Sequence, residues 1–179
     1  MLTIHTADQL LREDGGPPLP AGAVLVEGRA IAAVGAYEEL TAAHPTARVR
    51  RWPGVIGPGL LNPDGPELLE RSYHPDPRED LGSEPLTGEA LSALDMTEAR
   101  WGASARRGVQ RLLAQGTVAV SGPLQRPAVI DAVHRSGLTI EHGVTPSPLR
   151  PGADATFAVF DATECVATVI RGRLLHRRR

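Results

Sequence analysis

The feature that most constrains this chain is a glycine- and proline-rich apolar stretch at residues 54–66, with the sequence GVIGPGLLNPDGP. Its apolar residues are interrupted at residues 57–59 and stop at residues 62–64, where glycine, proline, asparagine and aspartate favour turns. The pattern predicts a buried strand-like segment with a sharp turn on each side. The stretch therefore separates the part of the chain that precedes it from the part that follows.

Both ends of the chain predict β-structure. Short strands are predicted at residues 2–6, 23–27, 30–34, 48–52, 155–160, 166–170 and 173–176, of which 23–27 and 30–34 are apolar runs. Gly28 and Gly172 each predict a hairpin turn, and a short helix is predicted at residues 37–43. Prolines and glycines at residues 14–20 predict a loop that joins no strand ladder. Because strands this short need further partners, we expect the two chain ends to build one sheet system together.

The middle of the chain changes to helical periodicity. Prolines and charges at residues 63–88 predict a long irregular segment. A helix is predicted between Thr97 and Gly116, because threonine suits an N-cap, glycine suits the C-terminal cap, and apolar residues recur between them at helical spacing. Strands at residues 117–120 and 138–140 flank a second predicted helix, and this order predicts parallel pairing.

These patterns predict a mixed α/β fold class with a discontinuous domain. Residues 1–54 and 146–179 are assigned to a β-sandwich, and residues 55–145 to an α/β insert with about three parallel strands. The 179 residues leave no room for a complete eight-stranded barrel beside a sandwich, since such a barrel takes about 250 residues.

Residues 58–62 resemble the Pro-Gly-apolar-apolar-Asn signature with which amidohydrolase-superfamily enzymes leave an N-terminal β-sandwich and enter a metal-bearing barrel. Residues 151–161 resemble the segment through which these enzymes re-enter the same sandwich. The resemblance is to imidazolonepropionase-like and aminodeoxyfutalosine deaminase-like members, and it implies that the sandwich is their composite domain. Because residues 108–120 resemble the first barrel helix and second strand, it also implies a truncated, barrel-like insert.

The resemblance fails at the family's metal position. In the family, a His-x-His pair follows the asparagine and binds the catalytic metal, whereas Asp64 and Pro66 stand at the two aligned positions here. Proline has no side-chain donor atom and cannot ligate a metal. We therefore expect no catalytic residue, no cofactor and no metal, although the family's chemistry uses a metal to lower the pKa of a bound water.

A metal site rebuilt from other residues is the alternative. Asp64 and His142 each follow a predicted strand, at the end where parallel sheets place their ligands, and His74 lies in the proline-rich segment. The three would form a His/His/Asp site with an open position, which suits Zn²⁺ or Fe²⁺. Their spacing matches no ligand motif, and the simpler interpretation is that Asp64 caps a turn while both histidines are exposed.

Charge and cysteine content bear on partners and location. With a formal net charge of −2, nothing in the overall charge favours nucleic acid or an anionic membrane as a partner. The single Cys165 excludes an internal disulfide framework and suits a reducing compartment. No segment approaches the roughly 18 apolar residues that cross a bilayer. We expect a cytoplasmic protein.

Three functions are compatible with these residues. The favoured one is an amidohydrolase-like protein that has lost metal-dependent catalysis and acts as a scaffold, regulatory or partner subunit. A barrel cut to about three strands leaves unpaired strand edges, which are usually covered, so we expect a homodimer or a complex with a full-length hydrolase. The alternatives are a small metal-dependent hydrolase or deaminase acting on a C–N bond of a cyclic amide or purine-like substrate, and a small-molecule binding module.

Overall fold

A computed structural model describes residues 1–12, 15–141 and 148–178. Within these ranges the strands are β1 (Leu2–Thr6), β2 (Gln9–Leu10), β3 (Leu19–Pro20), β4 (Gly22–Glu27), β5 (Ala30–Ala36), β6 (Arg48–Arg51), β7 (Val55–Gly57), β8 (Leu60–Asn62), β9 (Thr117–Ser121), β10 (Thr139–Glu141), β11 (Phe157–Asp161), β12 (Glu164–Ile170) and β13 (Arg173–Arg177). The helices are α1 (Tyr37–Ala43), α2 (Gly65–Glu70), α3 (Gly88–Ser92), α4 (Glu98–Ala114) and α5 (Pro127–Ser136), with a 3₁₀ turn at Pro77–Glu79.

The chain divides into two compact units. The first comprises Met1–Leu60, Leu113–Val118 and Thr145–Arg179, and the second comprises Leu61–Leu112 and Ala119–Val144. Both are assembled from separated pieces of sequence, so each depends on contacts between residues that lie far apart along the chain.

The first unit contains two sheets. The strand order is β5-β4-β1-β6 in the four-stranded sheet and β13-β12-β11-β7-β2-β3 in the six-stranded sheet. In the larger sheet, β7 pairs antiparallel with β11, and Ile56 lies opposite Val159. The prediction that both chain ends build one sheet system is confirmed.

Side-chain alternation gives the four-stranded sheet two buried faces. Leu25 of β4 packs in one cluster with Leu40 of α1. Its neighbours Val24 and Val26 point to the opposite face and lie in a larger cluster with Val159 of the six-stranded sheet. The main core of this unit therefore lies between the two sheets, and α1 covers the other face of the smaller one.

A close backbone approach fixes the start of the stretch at residues 54–66. Gly54 has a φ of +75°, and a Cβ at this position would lie 2.1 Å from the carbonyl oxygen of Phe160. The Gly54 N–H donates to Asp8 Oδ2 at 2.7 Å. Because a side chain would collide with β11, the pairing of β7 with β11 requires glycine here.

His5 is a buried polar residue of the sandwich core. It is 2% exposed, and its ring lies edge-on to Phe157 with centroids 5.0 Å apart. Its Nδ1 accepts a hydrogen bond of 3.2 Å from Trp52 Nε1. Burial, with a smaller contribution from the charge of Arg50, lowers the pKa of His5 to about 4. The ring is therefore neutral at pH 7.

The third sheet is small and belongs to a strand–helix–strand segment. Its order is β10-β9-β8. β10 runs parallel to β9, with Ile140 opposite Val120, and α5 connects these two strands along the chain. The predicted parallel pairing is confirmed, and with it the mixed α/β fold class.

Helix α4 begins and ends where its capping residues predict. Thr97 Oγ1 accepts a hydrogen bond of 3.2 Å from the N–H of Arg100, and Gly116 follows the helix with a φ of +85°. The apolar stripe of the helix is buried as predicted, at Trp101, Ala105, Val109, Leu112 and Leu113. None of the helices in the described ranges, α4 included, is long and apolar enough to cross a membrane.

Two segments differ from the sequence prediction. Pro20 lies in β3 and pairs with Gln9 of β2, where the sequence predicts a loop outside any ladder. Proline is tolerated because β3 is the outermost strand of its sheet. Residues 63–88 contain α2 and a 3₁₀ turn, where the sequence predicts irregular structure. Pro66 lies in the first turn of α2, where its missing N–H would have had no partner within the helix.

We expect acid to destabilise the protein through His5. The folded-state pKa of about 4 lies below the ordinary value of 6.5, so the unfolded state takes up the proton first as the pH falls. The stabilising contribution is complete above pH 6.5 and is lost as the pH falls towards 4, by roughly 3 kcal/mol in all.

Urea unfolding over this pH range tests the expectation. His5→Gln keeps an acceptor for the Trp52 indole and should flatten the acid dependence of the free energy of unfolding. His134→Gln, which changes an exposed histidine of α5, is the control and should leave that dependence unaltered. An acid dependence that survives in the His5→Gln protein would contradict this account.

Candidate functional site

Helix α2 begins just after β8, where the amidohydrolase resemblance places metal ligands. Asn62 Oδ1 accepts a hydrogen bond of 2.9 Å from the N–H of Asp64. Asp64 is exposed and precedes α2, but its side chain makes no capping hydrogen bond. The turn is therefore held by the Asn62 side chain, where the sequence predicted that Asp64 would cap it.

His74 follows α2 and is buried, with 3% of its surface exposed, so the expectation of an exposed histidine is wrong. Its Nε2 lies 2.8 Å from the carbonyl oxygen of Leu68 and must carry the proton, because a carbonyl only accepts. In the neutral ring Nδ1 is then an unprotonated acceptor, and it has no hydrogen-bond partner among the described residues. Burial lowers the pKa of His74, although the hydrogen bond to Leu68 opposes the shift.

The backbone of His74 is held by α4. Its N–H donates to Ser104 Oγ at 2.9 Å, and its carbonyl oxygen accepts from Arg107 Nε at 2.7 Å. Ser104 is itself fully buried. These bonds satisfy backbone groups that would otherwise be unpaired in the interior of the second unit, and they fix the imidazole against the helix.

A polar network surrounds the neighbouring Tyr73, which is 1% exposed. The Tyr73 hydroxyl donates to Glu79, whose two carboxylate oxygens lie 2.7 and 2.5 Å away. Arg100 Nε and Arg107 Nη2 lie 3.2 and 3.4 Å from the same hydroxyl oxygen. The two guanidinium carbons also lie 4.9 and 5.7 Å from the centre of the tyrosine ring, within the range of a cation–π interaction.

The charges of this network are paired. Arg100 contacts Glu79 at 3.0 Å, and Arg107 contacts Asp76 at 3.5 Å. The Tyr73 hydroxyl, followed by the N–H of Asp76 and the guanidinium of Arg100, holds the pKa of Glu79 below its ordinary value. Two cations meet two carboxylates and one hydroxyl, so the arrangement fastens the segment at residues 73–79 to α4 and leaves no member as an unpaired acid or base.

The sequence does not predict this network, because a charged, proline-rich segment is most simply interpreted as solvated. Two residue spacings in the sequence did indicate parts of the network. Arg100 and Arg107 are seven residues apart and therefore lie on one face of α4. Asp76 and Glu79 have the spacing of a capping box, which the structure contains. The sequence does not indicate that α4 and the segment at residues 76–79 contact each other.

The predicted metal ligands occupy different environments. Asp64 is exposed, His74 is buried, and His142 lies outside the described residues. The part of the chain that the structure describes contains no group of three or more His, Cys, Asp or Glu side chains that could hold a metal ion. Asp64 and Pro66, which stand where the resemblance places two metal-binding histidines, do not fit a two-histidine site. A site formed by Asp64, His74 and His142 stays a prediction.

Comparisons with known proteins agree with the fold. Residues 22–47 match the family model of the imidazolonepropionase-like composite domain of bacteria. Curated protein sequences give no match. Similar solved structures include an A. niger ochratoxinase, with 22% identity and a TM-score of 0.51 over 77% of this chain and 29% of that one.

Two further similar structures are enzymes by their names. An adenosine deaminase from Xanthomonas campestris with bound zinc has 16% identity and a TM-score of 0.52, over 76% of this chain and 32% of its own. A triazine hydrolase from Arthobacter aurescens has 17% identity and a TM-score of 0.52, over 76% of this chain and 34% of its own.

These structural similarities are evidence for the fold alone. The identities are 22% or lower, and the chain spans only about a third of the length of each similar protein. The resemblance to amidohydrolase-like proteins with an imidazolonepropionase-like composite domain is confirmed at this level.

We expect Tyr73→Phe to lower the free energy of unfolding by about 1–2 kcal/mol, since it removes the buried hydroxyl shared by a carboxylate and two guanidinium groups. Urea unfolding measures the change. Tyr37→Phe is the matched control, because its hydroxyl accepts only from the exposed Arg51 and its loss should cost little. Equal losses in the two variants would show that the network contributes nothing beyond a surface contact.

Proposed function

We propose that this chain is an amidohydrolase-like protein without metal-dependent catalysis that acts as a scaffold, regulatory or partner subunit. The observation that carries the proposal is Pro66. It stands at the second of the two positions where the resemblance places metal-binding histidines, and it offers no donor atom.

The conformation around Pro66 strengthens this argument. Pro66 belongs to the first turn of α2 and is a favourable residue for starting a helix. The helix begins tightly packed, since a Cβ on Gly65 would lie 2.3 Å from the carbonyl oxygen of Ser121 at the end of β9. The carboxyl end of a parallel strand is where α/β proteins place ligands. In this chain that position contacts the start of a helix.

The exposed strand edges support a role in association. β8 and β10 are the outer strands of the three-stranded sheet as described. Unpaired N–H and C=O groups along such strands are readily paired with another chain. Leu60 of β8 is a large apolar residue that is 45% exposed. We propose that this sheet edge is covered in a homodimer or by a full-length hydrolase of the same superfamily.

A metal-dependent hydrolase acting on a C–N bond is the second candidate. His74 favours it, because its buried Nδ1 carries a lone pair that no described residue uses. The site would need Asp64, His142 and a further ligand from a second chain, and it would suit zinc or iron. One similar structure, the Xanthomonas campestris adenosine deaminase, carries bound zinc.

We propose the cytoplasm as the location of this protein. Cys165 is a buried free thiol, and it is the only cysteine in the sequence. Burial raises its pKa and keeps it protonated, so it behaves as a small packed side chain. A single reduced cysteine agrees with a reducing compartment.

The metal content of the purified protein separates the two candidates. Elemental mass spectrometry on protein made without chelators or a metal-binding tag should find negligible zinc and iron. Asp64→Ala should leave metal content and stability unchanged, because the exposed carboxylate makes no capping hydrogen bond. Near-stoichiometric metal that is lost in Asp64→Ala would overturn the non-catalytic proposal in favour of the hydrolase.

Light scattering at micromolar concentration tests the association. We expect a dimer that Leu60→Lys converts to monomer, since a charge on an outer strand blocks edge-to-edge pairing. Leu11→Lys, at a residue 43% exposed and outside the three-stranded sheet, is the control and should remain dimeric. A monomeric native chain would exclude the homodimer and leave only the hydrolase complex to test.

A further inference from the structure

Strand β6 places arginines on one edge of the first unit. It is the outermost strand of the four-stranded sheet and contains Arg48, Arg50 and Arg51. Arg48 and Arg50 are two residues apart and share a face of the sheet. Their Cα partners on β1 are Thr3 and His5, so this face is the one that carries the buried His5 ring.

Arg177 reaches the same place from the other sheet. It is the last residue of β13, which is the outermost strand of the six-stranded sheet. Its guanidinium carbon lies 5.7 Å from the centre of the Trp52 ring. The Trp52 ring in turn stacks on His5 with centroids 6.1 Å apart. Arginines from two outer strands therefore converge around Trp52 and His5.

The three positive charges affect one another. Partial burial, then the charge of Arg48, then that of Arg177, lower the pKa of Arg50. This repulsion is unfavourable in the folded state unless a counter-charge is present. Arg50 is half-buried, so water screens it less than a fully exposed side chain.

Two other arginines of the same unit have carboxylate partners. Arg171 contacts Asp154 at 3.3 Å, and Arg178 contacts Glu164. Arg48, Arg50 and Arg177 form no ion pair with any carboxylate of the described ranges. These three arginines are close enough for their charges to interact, and no carboxylate of the described ranges pairs with them.

We propose that Arg48, Arg50 and Arg177 form a binding site for a phosphate group carried by a small molecule. Guanidinium groups present forked N–H donors that match phosphate oxygens. Three guanidinium groups carry three positive charges, which a single carboxylate could not neutralise, so a ligand with more negative charge, such as a phosphate, suits them better. The half-buried Arg50 would contribute most, because its charge is the least screened. This site belongs to the first unit and does not depend on whether the chain has lost a metal.

Phosphate titration at constant ionic strength tests the site. Inorganic phosphate and pyrophosphate should raise the melting temperature in a saturable manner relative to chloride, and calorimetry should give a dissociation constant. Arg50→Gln should weaken pyrophosphate binding about tenfold or more. It should also raise the melting temperature in the absence of phosphate, because it removes the repulsion.

Substitutions at two exposed arginines test the site without disturbing the folded core. Arg48→Gln and Arg177→Gln should each weaken pyrophosphate binding severalfold while the protein remains folded. Arg106→Gln makes the same change of charge at an exposed position of α4, in the second unit, and should leave binding unaltered.

Three results would overturn the proposal. If phosphate has no saturable effect, the arginines only protect strand edges from pairing. If Arg106→Gln weakens binding as much as Arg50→Gln, the effect is non-specific. If single-stranded DNA binds more tightly than pyrophosphate and loses that affinity in Arg50→Gln, the ligand is a nucleic-acid backbone and not a small molecule.

Discussion

The pairing of β7 with β11 is the constraint on which the first unit depends. It joins residues from the two halves of the chain in one ladder, with Ile56 opposite Val159, and both side chains are fully buried. Burial of this kind contributes about 1.5–3 kcal/mol for each large apolar side chain. Gly54 is required for the close approach to Phe160. Because β7 and β11 are neighbours in one sheet but far apart in sequence, the chain leaves the sheet after β7 and returns to it at β11. Residues between these two strands can therefore form a separate compact unit.

In the second unit, the side chains that could take part in acid–base chemistry have structural roles. His74 is neutral and hydrogen-bonded to Leu68, and the Tyr73 hydroxyl joins Glu79 to two arginines of α4. Shifted pKa values often mark active sites, but structural networks shift them as well. Here each shift has a structural cause, namely burial for His74 and hydrogen bonding for Glu79. Such structural uses are what we expect of the non-catalytic role proposed above.

The two groups of arginines differ in their balance of charge. Around Tyr73, Arg100 and Arg107 are each matched by a carboxylate, and the network is self-contained. In the first unit, Arg48, Arg50 and Arg177 approach one another without a matching carboxylate in the described residues. A balanced cluster is explained by stability alone. An unbalanced cluster lowers stability, which is why it points to a ligand of opposite charge.

The sequence by itself determined most of the elements. The strands at both chain ends and the helices α1, α4 and α5 follow from periodicity and from capping residues such as Thr97 and Gly116, because these signals are local. The sequence also shows, without any structure, that proline stands at one of the two positions where the resemblance places metal-binding histidines. Three features required the tertiary structure: Pro20 joins an edge ladder, His74 is buried, and arginines from two sheets lie close enough for their charges to interact. These outcomes depend on contacts between residues far apart in sequence, and local patterns carry no information about such contacts.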